Sequence, residues 1–157
     1  CVSWLPWYHD MGLVGCFLSP VANQVSTDYM KTEDFARRPL AWLDVISAAD
    51  GTVISYSPTF GYDICARRIS SQTHVAERFD LSKWRLAGNG ADMIRPDVMQ
   101  AFVDAFGDAG FKASSFLPSL ASIFVFSVCT QGWALGLAST ALFTQLSAWF
   151  RSLPLSK

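Results

Sequence analysis

Residues 84–106 read WRLAGNGADMIRPDVMQAFVDAF, and the reading of this stretch decides the fold. Trp84 to Ala87 has the aromatic and apolar content of a short strand, and it runs into Gly88-Asn89-Gly90, residues that favour turns. From Pro96 to Phe106 the side chains of Val98, Met99, Phe102, Val103 and Phe106 recur at helical spacing. A strand, a Gly-containing turn and a helix in this order predict an α/β layer, with the turn where such proteins place ligand-contacting loops.

The same alternation extends toward the N-terminus. Thr52-Val53-Ile54-Ser55 is a β-rich run that stops at Pro58, and Phe60 to Ile69 follows it as a helix. Residues 39–49 carry a buried stripe of Leu40, Leu43 and Ile46, with Trp42 and Val45 beside it. Pro39 suits the first turn of this helix, and Asp50-Gly51 ends it. Residues 10–18 also have helical apolar spacing, and Val25 to Lys31 predicts a further strand. The expected class is α/β, a partial layered sheet-and-helix subdomain.

Composition narrows the function. The 157 residues are 51% hydrophobic and 14% aromatic, enough apolar material for one compact domain. Twelve Lys and Arg against thirteen Asp and Glu leave a charge of -1, so no global basic field exists to hold nucleic acid. Cysteines stand at 1, 16, 65 and 129 without a CxxC pair or a zinc-type cluster, which reads as free thiols in a reducing cytosol. The first residue is Cys1 rather than Met, and no basic-then-apolar leader follows, so the chain is expected to be an internal piece.

From Ala113 to Phe150 there is no Asp, Glu, Lys or Arg. Leu120 to Leu142 has the length of a membrane span, about 20 apolar residues. Ser122, Ser127, Thr130, Gln131, Ser139 and Thr140 dilute it, so a membrane anchor at 120–142 is not favoured. The expected organisation is a family-like part at 1–119 and an apolar helical tail at 120–157. A cytoplasmic location is expected, with membrane association through the tail as the alternative.

Ser3-Trp4-Leu5-Pro6-Trp7-Tyr8-His9-Asp10-Met11-Gly12-Leu13 sets a His, an Asp and a Gly behind a rigid Pro and three aromatics. Such a turn can present one imidazole to an anionic substrate at the start of a helix. On the residues alone, a packed and hydrogen-bonded core histidine is the more ordinary reading of His9. The string resembles the Ser-Trp-Leu-Pro-x-Tyr-His-Asp-Met-Gly-Leu segment of fatty-acyl-AMP ligases, members of the acyl-adenylate-forming superfamily, with Trp7 at the variable position. Collinear agreement follows in Arg38-Pro39-Leu40-x-Trp42-Leu43, then in Ser57-Pro58-x-Phe60-x-Tyr62-Asp63-x-Cys65-x-Arg67-Arg68-Ile69. Asp80-Leu81-Ser82-x-Trp84-Arg85 and Asn89-Gly90-Ala91 complete it.

The resemblance implies an enzyme in which a fatty-acid carboxylate attacks the α-phosphorus of ATP, giving acyl-AMP and pyrophosphate. The acyl group then passes to the phosphopantetheine thiol of an acyl carrier protein or a polyketide synthase carrier domain. It implies that His9 lies beside the carboxylate and the α-phosphate, that Asp10, Met11 and Gly12 shape the pocket entrance, and that Phe60 and Tyr62 line the acyl channel. For Asp10 a helix N-cap or first-turn carboxylate is the preferred reading. For Phe60 and Tyr62 core packing is an equal alternative, and Arg67 and Arg68 read as a solvated helix end.

Asn89, Gly90, Ala91 and Asp92 resemble the family's adenine-side loop, in which the Asn amide can pair with a base edge and Glu usually stands where Asp92 is. A plain strand-to-helix turn is the alternative. The family continues after Pro118 into Tyr-Gly-x-x-Glu, whose Glu holds magnesium, whereas this chain reads Ser119-Leu120-Ala121-Ser122-Ile123-Phe124. No metal ligand is therefore assigned.

The resemblance covers about 116 residues, and the chain alone is expected to be an incomplete catalyst. A non-catalytic acyl- or nucleotide-binding module and a membrane-tethered remnant are the competing classes. A serine hydrolase lacks its GxSxG elbow. Truncation after Ser119 is expected to raise soluble yield and protease resistance, because it removes a long uncharged apolar run. Expression of both lengths side by side checks this, and a truncated form that is less soluble and faster digested contradicts it.

Overall fold

The computed structural model describes residues 1–69 and 75–118. Five parallel strands form one sheet in the order β2-β1-β3-β4-β5. They are β1 (Val2–Ser3), β2 (Asp28–Tyr29), β3 (Val53–Ser57), β4 (Trp84–Asn89) and β5 (Phe116–Pro118). The helices α1 (Ser19–Ala22), α2 (Thr32–Arg37), α3 (Leu40–Ala48), α4 (Thr59–Ile69), α5 (Val75–Arg78) and α6 (Pro96–Phe106) connect them, with a π-helix at Met11–Leu18. Parallel neighbours require crossover connections, which is why a helix follows each inner strand.

The chain leaves β1 to one side to make β2, then returns to place β3 on the other side of β1. That reversal is a topological switch point, and in open α/β sheets the crevice beyond the carboxyl ends at such a point is where ligands bind.

The core is aromatic and lies between the sheet and α3, α4 and α6. Trp84 meets Trp42 at 5.1 Å and Phe111 at 5.2 Å between ring centroids, and Tyr62 meets Phe102 at 5.2 Å and Phe116 at 5.1 Å, mostly edge-to-face. Rings prefer this arrangement because positive edges meet negative faces. Ser55, in the centre of the sheet and fully buried, accepts the Trp42 indole N–H at 2.9 Å and donates to the Val2 carbonyl at 2.6 Å. One hydroxyl thus ties α3, β3 and β1 together, and the indole enters the core with its polar atom satisfied.

The π-helix has a local cause. Pro20 has no backbone N–H, so it cannot bond the carbonyl of Cys16 four residues earlier. The Tyr29 hydroxyl on β2 donates to that carbonyl instead, at 2.7 Å. The bond from Ser19 N–H to Val14 O spans five residues, the π spacing.

The predicted α/β layer is present, and the structure moves several boundaries. The expected strand at 25–31 shrinks to Asp28–Tyr29, an exposed edge pair held by Met30 N–H to Ser3 O and Asp28 N–H to Cys1 O. Gly88 and Asn89 belong to β4 rather than to a turn, because the ladder with β3 runs on to Ser57↔Asn89. α4 begins at Thr59, one residue early. Strands β1 and β5, of two and three residues, and helix α2 lack periodicity that sequence could reveal.

Cys1, Cys16 and Cys65 are free thiols, and burial pushes the Cys65 thiol up to about 12. Among the described residues no helix is long and apolar enough to cross a membrane. The expected apolar tail, its proposed span at 120–142 and the boundary at 119 lie outside the described residues.

Trp42→Ala is expected to cost roughly 3–5 kcal/mol, the range for emptying a large aromatic site, and to leave the Ser55 hydroxyl without its indole partner. Urea denaturation of the variant against the parent chain checks this.

Candidate active site

Register places the candidate residues. Ser57, Asn89 and Pro118 stand level with one another at the carboxyl edge, through the pairs Ser57↔Asn89 and Asn89↔Pro118. Val2 pairs with Ser55, so Ser3 ends β1 at the same edge and the Trp4–Asp10 segment leaves from it. The connections after β1, β3 and β4 therefore emerge side by side.

The His9 turn is tightly bonded. Its backbone N–H donates to Pro6 O at 3.2 Å, and its carbonyl accepts from Gly12 N–H at 2.9 Å and Leu13 N–H at 2.8 Å. Met11 N–H donates to His9 Nδ1 at 3.2 Å. Nδ1 is therefore an acceptor, the ring proton sits on Nε2, and the exposed imidazole offers one N–H donor. The imidazole is exposed rather than packed in the core.

Asp10 stands at the start of the helix, as expected, but its carboxylate makes no cap bond. It occupies the N-cap position with helical backbone angles, while the His9 ring takes the first helical N–H. Met11 and Gly12 are buried beneath the turn. A Cβ on Gly12 would lie 2.2 Å from Pro6 O, so only glycine allows the turn to close.

Beside this turn, Trp4 is stacked on Phe35 at 3.8 Å and meets Phe60 edge-on at 5.8 Å. Phe60 is half exposed, at 51%. The buried indole Nε1 of Trp4 has no acceptor among the described residues. Gly61 lets α4 approach, since a Cβ there would meet Ser57 Oγ at 2.0 Å and Trp4 Cζ2 at 3.0 Å. Tyr62, expected with Phe60 in an acyl channel, points the other way. It is fully buried, its ring sits among Trp42, Phe102 and Phe116, and its hydroxyl donates to Gly88 O at 2.9 Å. Residues three apart on one helix would share a face, but Phe60 and Tyr62 are two apart and cannot.

On the β4 side, the Asn89 amide is turned inward. Asn89 is buried, its Nδ2 donates to Met99 Sδ at 3.2 Å, and its Oδ1 lies 3.2 Å from the Thr59 hydroxyl. Thr59 also donates to Met93 O at 2.9 Å. Gly90 is buried, Ala91 and Asp92 are exposed, and Asp92 Oδ1 accepts Met93 N–H at 2.7 Å. Ala91 has φ of 62°, a left-handed conformation that costs a residue with a Cβ roughly 1–2 kcal/mol. Strain of this kind concentrates at functional loops.

The structure thus brings Phe60 against the β1 connection through Trp4, and Asn89 against α4 through Thr59. Thr59 carried no signal in the sequence, since it is an ordinary residue after Ser-Pro. Among the described residues no group of three or more His, Cys, Asp or Glu is gathered to hold a metal ion.

The family described as AMP-binding enzyme matches residues 1–114. The chain belongs to this family. It is 52% identical over 118 residues to a protein of Caulobacter vibrioides provisionally named as an acyl-CoA synthetase, covering 75% of this chain and 20% of that one. It is 38% identical over 116 residues to the medium-chain-fatty-acid–[acyl-carrier-protein] ligase TtuA of Teredinibacter turnerae, covering 74% and 18%. Among solved structures, a fatty acyl-adenylate ligase of Legionella pneumophila in complex with acyl adenylate and pyrophosphate superimposes with a TM-score of 0.69 at 41% identity. That match covers 76% of this chain and 21% of that one. The chain spans about a fifth of the length of these relatives.

Within this AMP-binding enzyme segment, Gly12→Ala is expected to cost roughly 1–3 kcal/mol, because the new methyl meets backbone that cannot rotate away. Thermal melts check the cost. The chemical shifts of His9 are expected to move further than those of α6.

Proposed function

We propose that residues 1–118 form the centre of an adenylation domain that activates a fatty acid with ATP, giving acyl-AMP and pyrophosphate for transfer to an acyl carrier thiol. The observation that carries this reading is the His9 turn at the switch-point edge, with Nδ1 held by Met11 N–H and Nε2–H free to donate. In the step, a carboxylate oxygen bonds to the α-phosphorus as the bond to the pyrophosphate oxygen breaks. Two anions must meet in line, so a preorganised donor beside them lowers the barrier without adding a proton to the reaction. His9 is assigned that donor role.

Phe60 is assigned to the acyl side, where an exposed ring on a Trp4 platform suits an apolar chain. Gly90, Ala91 and Asp92 are assigned to the nucleotide side, with backbone groups and the Asp92 carboxylate available to a base. Asn89, Met11 and Gly12 support from beneath, and Asp10 stands exposed at the rim. The relatives named for a fatty acid and an acyl carrier protein, and the acyl adenylate and pyrophosphate bound in the Legionella enzyme, support this substrate set.

Magnesium does not fit the residues present. The resemblance puts its carboxylate just after β5, but no Asp or Glu follows Asp108 anywhere in the chain. No step is assigned to it here, and the chain alone is assigned the ligand-facing part of the domain rather than the complete catalyst.

The test is a chimera in which residues 1–118 replace the matching segment of the Caulobacter relative, assayed by ATP–pyrophosphate exchange with fatty acids of several lengths. Exchange is expected, and a folded chimera without it overturns the proposal. In the same chimera, His9→Ala is expected to lower the rate roughly 10- to 1,000-fold, the range for removing one preorganised donor. An unchanged rate would remove His9 from the chemistry.

A further inference from the structure

We infer that Thr59 is a positioning residue for the 90–93 loop: its hydroxyl grips both ends of the loop and holds Ala91 between them in the left-handed conformation. The inference rests on the reading above, in which this loop faces the nucleotide.

Thr59 opens α4 and is buried, at 2% exposure. Its Oγ1 lies 2.9 Å from Met93 O and 3.2 Å from Asn89 Oδ1, so one proton is shared between two acceptors. These acceptors belong to residues two before and two after Ala91, whose φ is 62°. Asn89 is itself anchored, paired with Ser57 and Pro118 in the sheet and bonded to Met99 Sδ. The grip therefore ties the far end of the loop, at Met93, to a fixed near end. Met93 needs such a tie, because its own side chain is 79% exposed and packs on little.

The Asp92 bond to Met93 N–H is local and spans only one residue, so it closes a turn without fixing that turn to the body of the protein. Thr59 supplies the fixing. The next residue, Phe60, packs on Trp4, so two adjacent side chains at the start of α4 set the nucleotide-side loop and the acyl-side platform together.

Thr59→Val keeps the shape and removes the hydroxyl, Thr59→Ala removes it with less risk of crowding, and Thr59→Ser keeps it. In the full 157-residue chain, NMR shifts and couplings that report the φ of Ala91 are read together with amide exchange. In both Val and Ala variants, Ala91 is expected to leave positive φ. Exchange at Ala91, Asp92 and Met93 is expected to rise about tenfold, as for one lost buried hydrogen bond, while α6 stays unchanged. Thr59→Ser is expected to match the parent. An unchanged Ala91 in the Val and Ala variants, or a Ser variant that behaves like them, overturns the inference. AMP is titrated into the parent chain separately. Resonances of 90–92 that fail to shift there count against the nucleotide reading, while the grip is judged on Ala91 alone.

Discussion

Parallel pairing of β3 with β4, from Val53 to Ser57 against Trp84 to Asn89, governs the placement of everything else. Two parallel strands in register must both finish at the same edge, and the chain must return along one face before the next strand begins. α4 and α6 are those returns, and the aromatic core is what they bury. The turn after β3 and the loop after β4 are adjacent for the same reason. A one-residue slip would turn Val53, Ser55 and Ser57 away from the helices and expose Ile54 and Tyr56 to them instead. The close fit of Gly88 to the Tyr56 ring, where a Cβ would lie 2.0 Å from Cδ1, resists such a slip.

The buried polar groups follow from that register. Ser3, Ser55, Ser57, Thr59 and Asn89 are all buried, and they lie in or just beyond β1, β3 and β4. Short side chains let neighbouring elements approach, and three of these residues bridge them: Ser55 joins Trp42 to Val2, Thr59 joins Asn89 to Met93, and Asn89 reaches Met99. Small hydrogen-bonded residues at the carboxyl edge give the loops there fixed anchor points. A site that must hold two anions in line needs such anchoring, because its donors work only when they are already in position.

His9 shows how local chemistry and topology combine. Pro6, Gly12 and the backbone bonds of the turn are short-range features, and together they leave the imidazole with one donor pointing outward. What makes that donor useful is distant in sequence. β3 lies on the opposite side of β1 from β2, so the segment that carries the turn leaves at the switch point, where its Trp4 meets Phe60, 51 positions beyond His9 in the chain.

The sequence by itself determined the class of fold and the family, because strand and helix periods and the His9 and Asn89 motifs are local patterns of residue type. α3, α4 and α6 were legible for the same reason: their apolar faces repeat every three or four residues. Periodicity was silent on β1 and β5, which are too short to show a period and form against the longer β3 and β4, while the strand expected at 25–31 kept only the Asp28–Tyr29 pair against β1. The orientation of individual side chains was decided only by tertiary structure. Tyr62 went to the core and Asn89 to Thr59 and Met99, although both sat within motifs that pointed to ligands, because a buried hydroxyl or amide must find partners inside the protein. Thr59 took on its role because register brought it beside residues 30 and 34 positions away.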